Sequence, residues 1–283
     1  MGVTWSERMS VGVPLLDSDH KTLIGLINHL QRSIGDDEEY ASVGSVLQAL
    51  DEYAAHHFAR EEKMMEACRY PLLSQHHGTH DNFTAKVAGF KARYTEDKTS
   101  VRARDCLTFL NSWLIDHICT TDMNYRSWMI GHPGAEAAAQ RVTLTGGGTA
   151  RAAQVDWSKL RVLLVDDNVN FCEILRTILG SVGVATISAV HDLASAKAVI
   201  GQERLDIVVS DWHVGEESGL DLVKWVRRGP PDQARLPVLI LSGHERMANR
   251  DLALLAGADE FMEKPISARN LLLGVARLVG KAA

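Results

Sequence analysis

The sequence is poor in cysteine, and its four cysteines never occur at the CxxC spacing; they are Cys68, Cys106, Cys119 and Cys172. Zinc ribbons and dithiol redox sites use that spacing, and disulfide frameworks are typical of short secreted chains. We therefore expect reduced thiols, most of them buried, and no structural zinc site.

An excess of basic residues and long apolar runs are also missing. The formal net charge is −6 and no basic patch stands out, which argues against nucleic acid as a partner. No apolar run reaches the roughly 18 residues that a membrane span needs. Residues 1–9 lack the charged and apolar regions of a secretory signal. We expect a cytoplasmic protein that binds neither nucleic acid nor membrane.

What remains is an ordinary globular composition. With 46% hydrophobic residues over 283 positions, the chain can fill two cores. The first half has helical periodicity and predicts four helices: one capped by Asp17 or Ser18 and stopped at Gly35, one from about Tyr40 to Cys68, one after Pro71, and one from about Val101 to Met129. Helices of this length with short connections favour an antiparallel four-helix bundle.

Two pairs of potential metal ligands lie in neighbouring predicted helices, His57 with Glu61 and His76 with His80. Residues four apart lie one above the other on a helix face, so each pair can direct two donors at one point. Pro71 separates the two helices, because proline is tolerated near a helix start but not in its interior. If the two helices face each other, they enclose a metal site in the bundle core.

Histidines and acidic residues at suitable positions occur in all four predicted helices. The set comprises His20, His57, Glu61, His76, His80, His117 and Asp122. This set resembles the bacterial hemerythrin family over about residues 5–130, together with Gly12-Val13, Leu16-Asp17, Lys21, Phe58, Glu62, Tyr70-Pro71, Trp113-Leu114 and Ile118. The resemblance implies a di-iron centre, with two non-haem iron ions held by those seven side chains.

The resemblance also implies what the centre binds. Five imidazoles, two bridging carboxylates and a bridging hydroxide would fill eleven of the twelve positions of two octahedral irons, leaving one for O2 or, alternatively, NO. His76, His80 and His117 would hold one iron, whereas the other would have only His20 and His57 besides the open position. Because ferritin-like di-iron sites use more carboxylates, we expect reversible O2 binding rather than oxidation of a substrate.

One spacing within this set is irregular. His117 and Asp122 are five residues apart, which a regular helix places off one face. A π-bulge would realign them, and such bulges often mark functional sites. Three other histidines are interpreted as core residues satisfied by hydrogen bonds, namely His29, His56 and His77.

The composition changes over residues 132–158. His132-Pro133-Gly134 ends the fourth predicted helix, and alanine-rich and glycine-rich segments follow with little apolar periodicity. This composition predicts a flexible linker between a domain at 1–131 and another at 159–283.

Short apolar strands replace the helical period from Lys159 onward. Strands are predicted at 161–165, 185–190, 206–210, 237–241 and about 259–262, alternating with helices near 170–182, 192–201, 219–228, 246–256 and 267–279. This alternation predicts a doubly wound α/β fold with a five-stranded parallel sheet. Ligands bind such sheets beyond the carboxyl ends of the strands.

Polar residues follow those strand ends, namely Asp166, Asp167, Asp211, Ser242 and Lys264. They resemble the phosphorylation site of response-regulator receiver domains over about residues 160–280, which implies a flavodoxin-like sheet of order 2-1-3-4-5. By this resemblance Asp211 is the phosphoacceptor, and Ser242 and Lys264 contact the phosphoryl oxygens. Asp167 and Asp211, with Asp166 through water, would hold Mg2+, a hard ion that prefers oxygen ligands.

The segment after Asp211 departs from this family at Val214-Gly215, where Met-Pro is common, so the shape of the loop is open. By the same resemblance, the backbone carbonyl of His213 completes the Mg2+ ligands. Phe261 matches the switch aromatic of the family, and it can equally be a plain strand residue. His213 and His244 occupy positions that can tune the lifetime of an aspartyl phosphate.

These features suggest two functions from different classes. In the first, the chain is a two-component signalling protein: O2 or the iron oxidation state biases a receiver that a sensor histidine kinase phosphorylates and a downstream signalling protein recognises. Such a chain is no enzyme beyond the receiver's own phosphoryl transfer and dephosphorylation. In the second, the bundle is an O2 store or carrier, or a di-iron oxidase or peroxidase, whose activity phosphorylation of Asp211 regulates.

Overall fold

Two units make up the computed structural model, residues 1–146 and residues 147–283. The structure describes residues 2–35, 39–142, 144, 155–243 and 247–282. Within these ranges, no helix is both long enough and apolar enough to cross a lipid bilayer.

The first unit is built on four long helices: α1 (Pro14–Ser33), α2 (Glu39–Cys68), α3 (Leu73–Glu96) and α4 (Ala103–Asp116). Helix α2 packs against both α1 and α3, and α1 packs against α4. Their buried faces carry aliphatic residues three and four positions apart, such as Leu23, Ile27 and Leu30 on α1. The helical architecture predicted for this half is confirmed.

Helix α1 begins earlier than its predicted cap. Pro14 occupies the first turn after Val13, because its fixed φ suits a helix start and its missing N–H is not needed there. Asp17 instead reaches back to the preceding loop, where its carboxylate accepts hydrogen bonds from Ser10 Oγ at 2.6 Å and from Val11 N at 2.9 Å. The predicted cap at Asp17 or Ser18 is therefore wrong.

The fourth helix changes its winding where the bulge is predicted. After α4 the chain forms a π-helical turn (His117–Thr121), a 3₁₀ turn (Asp122–Asn124) and the short helix α5 (Arg126–Met129). The Asp122 N–H donates to the carbonyl of His117, five residues earlier. The predicted bulge is confirmed, and both side chains are buried.

A further helix, α6 (Pro133–Gln140), lies where the sequence predicts the start of a linker. The His132 ring caps its first turn by accepting from Ala135 N, and Ala135 and Ala139 are buried in the same cluster as residues of α2. The prediction that the linker begins at 132 is wrong, because two alanines are too weak an apolar pattern to reveal a helix face. Of the remaining predicted linker, residues 143 and 145–154 lie outside the described residues.

The second unit contains, among its described residues, the strands β1 (Arg161–Val165), β2 (Thr186–Val190), β3 (Ile207–Asp211), β4 (His213–Val214), β5 (Glu217–Ser218), β6 (Val238–Ser242) and β7 (Glu260–Glu263). Five of them form a parallel sheet of order β2-β1-β3-β6-β7, and β4 pairs with β5 in an antiparallel hairpin. Apart from the hairpin, this is the predicted order 2-1-3-4-5. The doubly wound α/β fold class is confirmed.

The helices of this unit are α7 (Val169–Ser181), α8 (Leu193–Gln202), α9 (Gly219–Arg227), α10 (Pro231–Ala234), α11 (Met247–Ala256) and α12 (Ala268–Ala282). The strand register aligns the strand ends, since Asp211 lies opposite Leu241 and Ser242 lies opposite Glu263. Residues that end or follow these parallel strands therefore meet at one edge of the sheet.

Gly44 in α2 permits a close approach of the Tyr94 ring, because a Cβ at Gly44 would lie 2.4 Å from Tyr94 Cζ. We expect Gly44→Ala to lower the free energy of unfolding of the bundle by ~1–3 kcal/mol, since the ring or the helix must move. Gly89→Ala is the matched control: Gly89 lies in α3, and no described atom comes within 4 Å of its added Cβ. There alanine should raise the free energy of unfolding by ~0.5–1 kcal/mol.

Urea unfolding of the full chain, followed by far-ultraviolet circular dichroism, measures both variants. Equal effects of the two substitutions would contradict the close packing of α2 on Tyr94.

Candidate metal centre and phosphorylation site

The seven side chains singled out in the first unit come together in the bundle interior. His20 lies on α1, His57 and Glu61 on α2, His76 and His80 on α3, and His117 and Asp122 on the turns after α4. Each is at most 4% exposed. The four-residue spacing on α2 and α3 and the π-helical turn direct these side chains to one place.

Glu61 lies between two groups of imidazoles. Its Oε1 is 3.9 Å from His20 Nε2 and 3.6 Å from His57 Nε2. Its Oε2 is 3.4 Å from His76 Nε2 and 3.2 Å from His80 Nε2. The two carboxylate oxygens thus face opposite groups.

Asp122 repeats the pattern. Its Oδ2 is 3.3 Å from His20 Nε2, whereas its Oδ1 is 3.6 Å from His76 Nε2 and 3.1 Å from His117 Nε2. Each carboxylate therefore turns one oxygen toward a two-histidine group and the other toward a three-histidine group. The first group is His20 and His57, and the second is His76, His80 and His117. This arrangement suits two cations side by side with both carboxylates bridging them.

Buried polar atoms in this cluster lack the hydrogen bonds that such atoms normally make. Among the described residues, His20 Nε2 and both oxygens of Asp122 have no hydrogen-bond partner. Two buried carboxylates side by side carry negative charge that metal cations would neutralise. The donor set is rich in imidazole and therefore fits first-row transition metals such as iron better than Mg2+ or Ca2+.

Two of the histidines are held toward the neutral form that binds metal. Burial lowers the pKa of His20, and it lowers the pKa of His117 to about 2. Burial and the charge of Glu61 raise the pKa of Asp122. Although burial acts to raise the pKa of Glu61, the surrounding histidines hold it well below its usual range. Without a cation, the two carboxylates cannot both be charged at low cost.

Other side chains hold the candidate ligands in position. The Tyr125 hydroxyl donates to Glu61 Oε1, and His80 Nδ1 lies 2.8 Å from Glu62 Oε1. The Phe58 ring stacks on His80, with centroids 3.8 Å apart and planes 9° from parallel. Such contacts fix the tautomer and the orientation of ligand rings.

His57 and His117 also have oxygen neighbours behind their rings. His57 Nδ1 lies 3.5 Å from Asp19 Oδ2, and His117 Nδ1 lies 3.4 Å from Thr79 Oγ1. Sequence patterns did not indicate either partner, because each lies on a helix distant in the sequence from its histidine. Tyr125 was also missed, although it follows Asp122 by three residues, a helical spacing that could have revealed it.

The other histidines of the bundle differ from one another. His29 is buried, and His56 is half-buried, with its Nε2 2.7 Å from an Arg60 nitrogen. The side chain of His77 is 54% exposed, so its interpretation as a core residue is wrong. Helix α3 turns His77 outward, where its Nδ1 lies 2.8 Å from Glu62 Oε1.

At the sheet edge of the second unit, Asp166, Asp167 and Asp211 offer oxygens that lie within 4.8 Å of one another. The Lys264 ammonium is 2.9 Å from Asp166 Oδ2 and 3.0 Å from Asp211 Oδ1. Ser242 is buried at the end of β6. The parallel strands thus bring together the side chains that the sequence analysis singled out at this edge.

Charges within this cluster shift one another. Burial raises the pKa of Asp166 to about 6 and also raises the pKa of Asp211. Burial acts to lower the pKa of Lys264, but the two carboxylates outweigh it and raise that pKa, so the ammonium stays charged. Its Nζ lies 3.8 Å from the centre of the Phe171 ring, a cation–π contact that the sequence did not indicate.

The chain after Asp211 forms the β4–β5 hairpin. Val214 is buried, and Gly215 has a φ of 62°, a left-handed conformation that glycine adopts without strain. The His213 side chain is exposed, and the role of its carbonyl as an Mg2+ ligand stays a prediction. At Gly219 a Cβ would lie 2.0 Å from the Asp211 carbonyl oxygen, so only glycine fits there.

Phe261 is buried on β7 and meets the Trp212 ring edge to face, with ring centroids 6.3 Å apart. Phe261 is therefore a core residue in contact with Trp212, which follows Asp211. Its role as a switch aromatic stays a prediction. His244 lies outside the described residues.

The raised pKa of Asp166, about 6, implies that protons would compete with Mg2+ for the oxygens at this edge of the sheet. We expect the Mg2+ affinity of the full chain to be constant above about pH 7 and to fall roughly tenfold per pH unit below about pH 6, because a proton must leave before the carboxylate can face the cation. Isothermal titration calorimetry between about pH 5 and 8 measures it.

The variant Asp166→Asn is the control for this titration. It should bind Mg2+ more weakly and with a shallower pH dependence, since the shifted carboxyl is gone. An affinity of the unmodified protein that does not change over this pH range would contradict the assignment.

Comparisons with known proteins match each unit to a family. The Hemerythrin HHE cation binding domain matches residues 11–128, and the Response regulator receiver domain matches residues 162–276. Bacteriohemerythrin of Stenotrophomonas maltophilia is 29% identical over 133 residues, which cover 46% of this chain and 83% of that protein. The Transcriptional regulatory protein GltR of Pseudomonas aeruginosa is 30% identical over 121 residues, covering 43% of this chain and 49% of that protein.

Among solved structures, the receiver domain of a Francisella response regulator is 26% identical, with a TM-score of 0.41, and covers 44% of this chain and 99% of that chain. The histidine and carboxylate cluster of the bundle lies within the first matched range, and the aspartate and lysine cluster lies within the second. The two family models thus identify a hemerythrin domain over residues 11–128 and a response regulator receiver domain over residues 162–276, joined in one chain.

Proposed function

We propose that this chain is a two-component signalling protein whose bundle holds two non-haem iron ions and binds O2 reversibly, and whose receiver is phosphorylated on Asp211. The observation that carries the proposal is the pair of carboxylates, Glu61 and Asp122, each with one oxygen toward each histidine group. A single metal ion would not need this division. A salt bridge would need charged partners, whereas burial lowers the pKa of His20 and that of His117 and so favours their neutral forms.

Each side chain of the bundle site has a separate task in this proposal. His76, His80 and His117 would hold one iron, His20 and His57 would hold the other, and Glu61 and Asp122 would each offer one oxygen to either ion. When bound, ferrous iron supplies the electrons for reversible O2 binding. The side of His20 and His57 has one imidazole fewer and therefore provides the open position, which NO could occupy instead of O2. Tyr125 fixes the bridge by donating to Glu61.

The receiver provides the second half of the proposal. Asp167 and Asp211 hold Mg2+, with Asp166 through water and with the carbonyl of His213. A carboxylate oxygen of Asp211 attacks the phosphorus of a phosphohistidine on the partner kinase, and the imidazole of that kinase leaves. Lys264 and Ser242 neutralise and bind the phosphoryl oxygens, which is the main help that such a transfer needs.

The two histidines that contact Glu62 offer a matched pair for testing the iron site. His77 Nδ1 and His80 Nδ1 both lie 2.8 Å from Glu62 Oε1, but only His80 points its other nitrogen at Glu61. We expect about two irons per chain and a visible charge-transfer band that appears with O2 and disappears when O2 is removed. His77→Ala should keep both properties, whereas His80→Ala should lose at least half of the iron.

Iron analysis and absorption spectra of the anaerobically reconstituted protein measure these outcomes. Iron near zero in the unmodified protein would refute the di-iron proposal. Catalytic turnover of an added reductant, in place of a reversible band, would favour an oxidase or peroxidase over an O2-binding protein.

The receiver is tested by phosphorylation with a small phosphodonor in the presence of Mg2+. We expect Asp211→Asn to abolish incorporation of the phosphoryl group, because it removes the attacking oxygen. Asp221→Asn should leave incorporation unchanged, since Asp221 is an exposed residue of α9 that pairs with Lys224.

The half-life of the phosphorylated protein with and without O2 then measures the coupling between the two domains. By linkage, a ligand of one site that alters the other equilibrium must be altered in return. Identical half-lives together with identical O2 affinities would leave the two domains merely tethered.

A further inference from the structure

Arg60 is a charged residue buried beside the candidate metal centre, and no step described so far uses it. It lies on α2 one turn after His57 and is 9% exposed. Among the described residues, its guanidinium has three partners: Asp19 Oδ2 on α1, the His56 ring at 2.7 Å, and the carbonyl oxygen of Val142 at 3.0 Å. The planar guanidinium can reach several acceptors at once, which a lysine ammonium at the end of a flexible chain cannot do in the same way.

One end of this arrangement touches a candidate ligand. Arg60 Nη1 donates to Asp19 Oδ2, and His57 Nδ1 lies 3.5 Å from that same oxygen. When His57 Nε2 binds a metal, its proton must reside on Nδ1, which then points at Asp19. The guanidinium of Arg60 and the ring of His57 therefore face the same carboxylate oxygen. If the position of the His57 ring or the strength of its interaction with Asp19 changes, the hydrogen bond between Arg60 and Asp19 must change as well.

The other end of the arrangement touches the end of α6. Helix α6 leaves its last carbonyls without partners inside the helix, as every helix does. Arg60 donates to the carbonyl of Val142, two residues after α6 ends. In the sequence, Val142 directly precedes the segment that leads to the receiver. Arg60 is thus bonded both to the group behind His57 and to the chain that leaves the bundle.

The third partner keeps Arg60 in place without competing for its charge. The His56 ring lies 2.7 Å from an Arg60 nitrogen and brings no negative charge to the guanidinium. Asp19 is the only carboxylate that the described residues place against Arg60. The position of the guanidinium therefore depends on one anion, and that anion is shared with His57.

The contact between His57 and Asp19 lies on the side of the candidate metal centre that has the open position. In the proposed function, the iron with the vacant position is held by His20 and His57. Neither His20 Nδ1 nor His57 Nδ1 has a hydrogen-bond partner among the described residues, but His57 Nδ1 lies 3.5 Å from a carboxylate oxygen, Asp19 Oδ2. Ligand binding there has its most direct route outward through His57 and Asp19.

We propose that Asp19 and Arg60 form a relay between the bundle site and the segment that leads to the receiver. The ligand state of the site, acting through His57 and Asp19, changes the hydrogen bond from Arg60 to the Val142 carbonyl and so affects that segment. This inference rests on the proposed function and adds to it the path by which the site would be regulated or read. Arg60 and Asp19 are positioning residues, since neither is among the candidate ligands.

Hydrogen exchange at the end of α6 tests the relay. The N–H groups of Arg141 and Val142 donate to the carbonyls of Ala138 and Ala139, each at 3.2 Å, and their exchange reports the stability of this helix end. The full-length protein, loaded with ferrous iron, is compared without and with O2. We expect the exchange rates of these two amides to differ by about fivefold or more, the lower end of ordinary allosteric couplings.

Arg60→Lys is the diagnostic variant, because lysine keeps a positive charge for Asp19 and gives up the contact to Val142. It should keep its iron and its O2 band, while the difference in exchange falls below about twofold. Arg93→Lys is the matched control, since Arg93 Nη2 also donates to a backbone carbonyl, that of Ser100, at 2.6 Å. This control should retain the full difference. If Arg60→Lys loses iron, Asp19→Ala replaces it, because that variant removes the shared oxygen.

Each outcome decides between the proposals. A protein that binds two irons and O2 but shows no difference in exchange overturns the relay alone. A difference that persists in Arg60→Lys, or in Asp19→Ala, also overturns the relay and leaves the proposed function standing. An unmodified protein that takes up no iron overturns both. Loss of the difference in the Arg60 variant, with iron retained, supports the relay.

Discussion

Two carboxylates buried side by side, Glu61 and Asp122, are the constraint on which the bundle depends. Both are fully buried, and burial together with the charge of Glu61 raises the pKa of Asp122. The helices must therefore bring donors that can share a cation with the carboxylates rather than cations of their own. Four-residue spacing on α2 and α3, and the π-helical turn that re-aims Asp122, are the local consequences of that requirement.

In the receiver, the negative charge of the clustered carboxylates is offset by a side chain of the protein itself. There the chain supplies its own cation, Lys264, within 3.0 Å of Asp166 and Asp211, and Asp167 is exposed. Such a site can lose a metal ion without leaving a buried charge unpaired, as reversible phosphorylation requires. In the bundle, by contrast, the described residues place no lysine or arginine against the two carboxylates, so only bound cations would offset the cost of their burial. The bundle site is therefore suited to permanent occupancy by cations, and the receiver site is suited to exchange.

Sequence reasoning found what short spacings encode. The pairs on α2 and α3, the strand order and the polar residues at the strand ends could all be read along the chain, because helical and strand periods put them on defined faces. It missed α6, whose buried face consists of two alanines. It also missed Tyr125, Asp19 and Thr79 as partners of the candidate ligands, because contacts between helices depend on packing that no local pattern records.

The missed residues are also the ones that bear on signalling. The seven candidate ligands would serve an O2 carrier and an O2 sensor equally well, since both need the same open position. A sensor further requires a ligand state to change contacts elsewhere in the protein, because a ligand can shift an equilibrium only through differential interactions. Such contacts begin at the outer nitrogens of the imidazoles. In this bundle, the path from His57 through Asp19 and Arg60 ends on the chain that leaves the domain, which is where a sensor differs from a store.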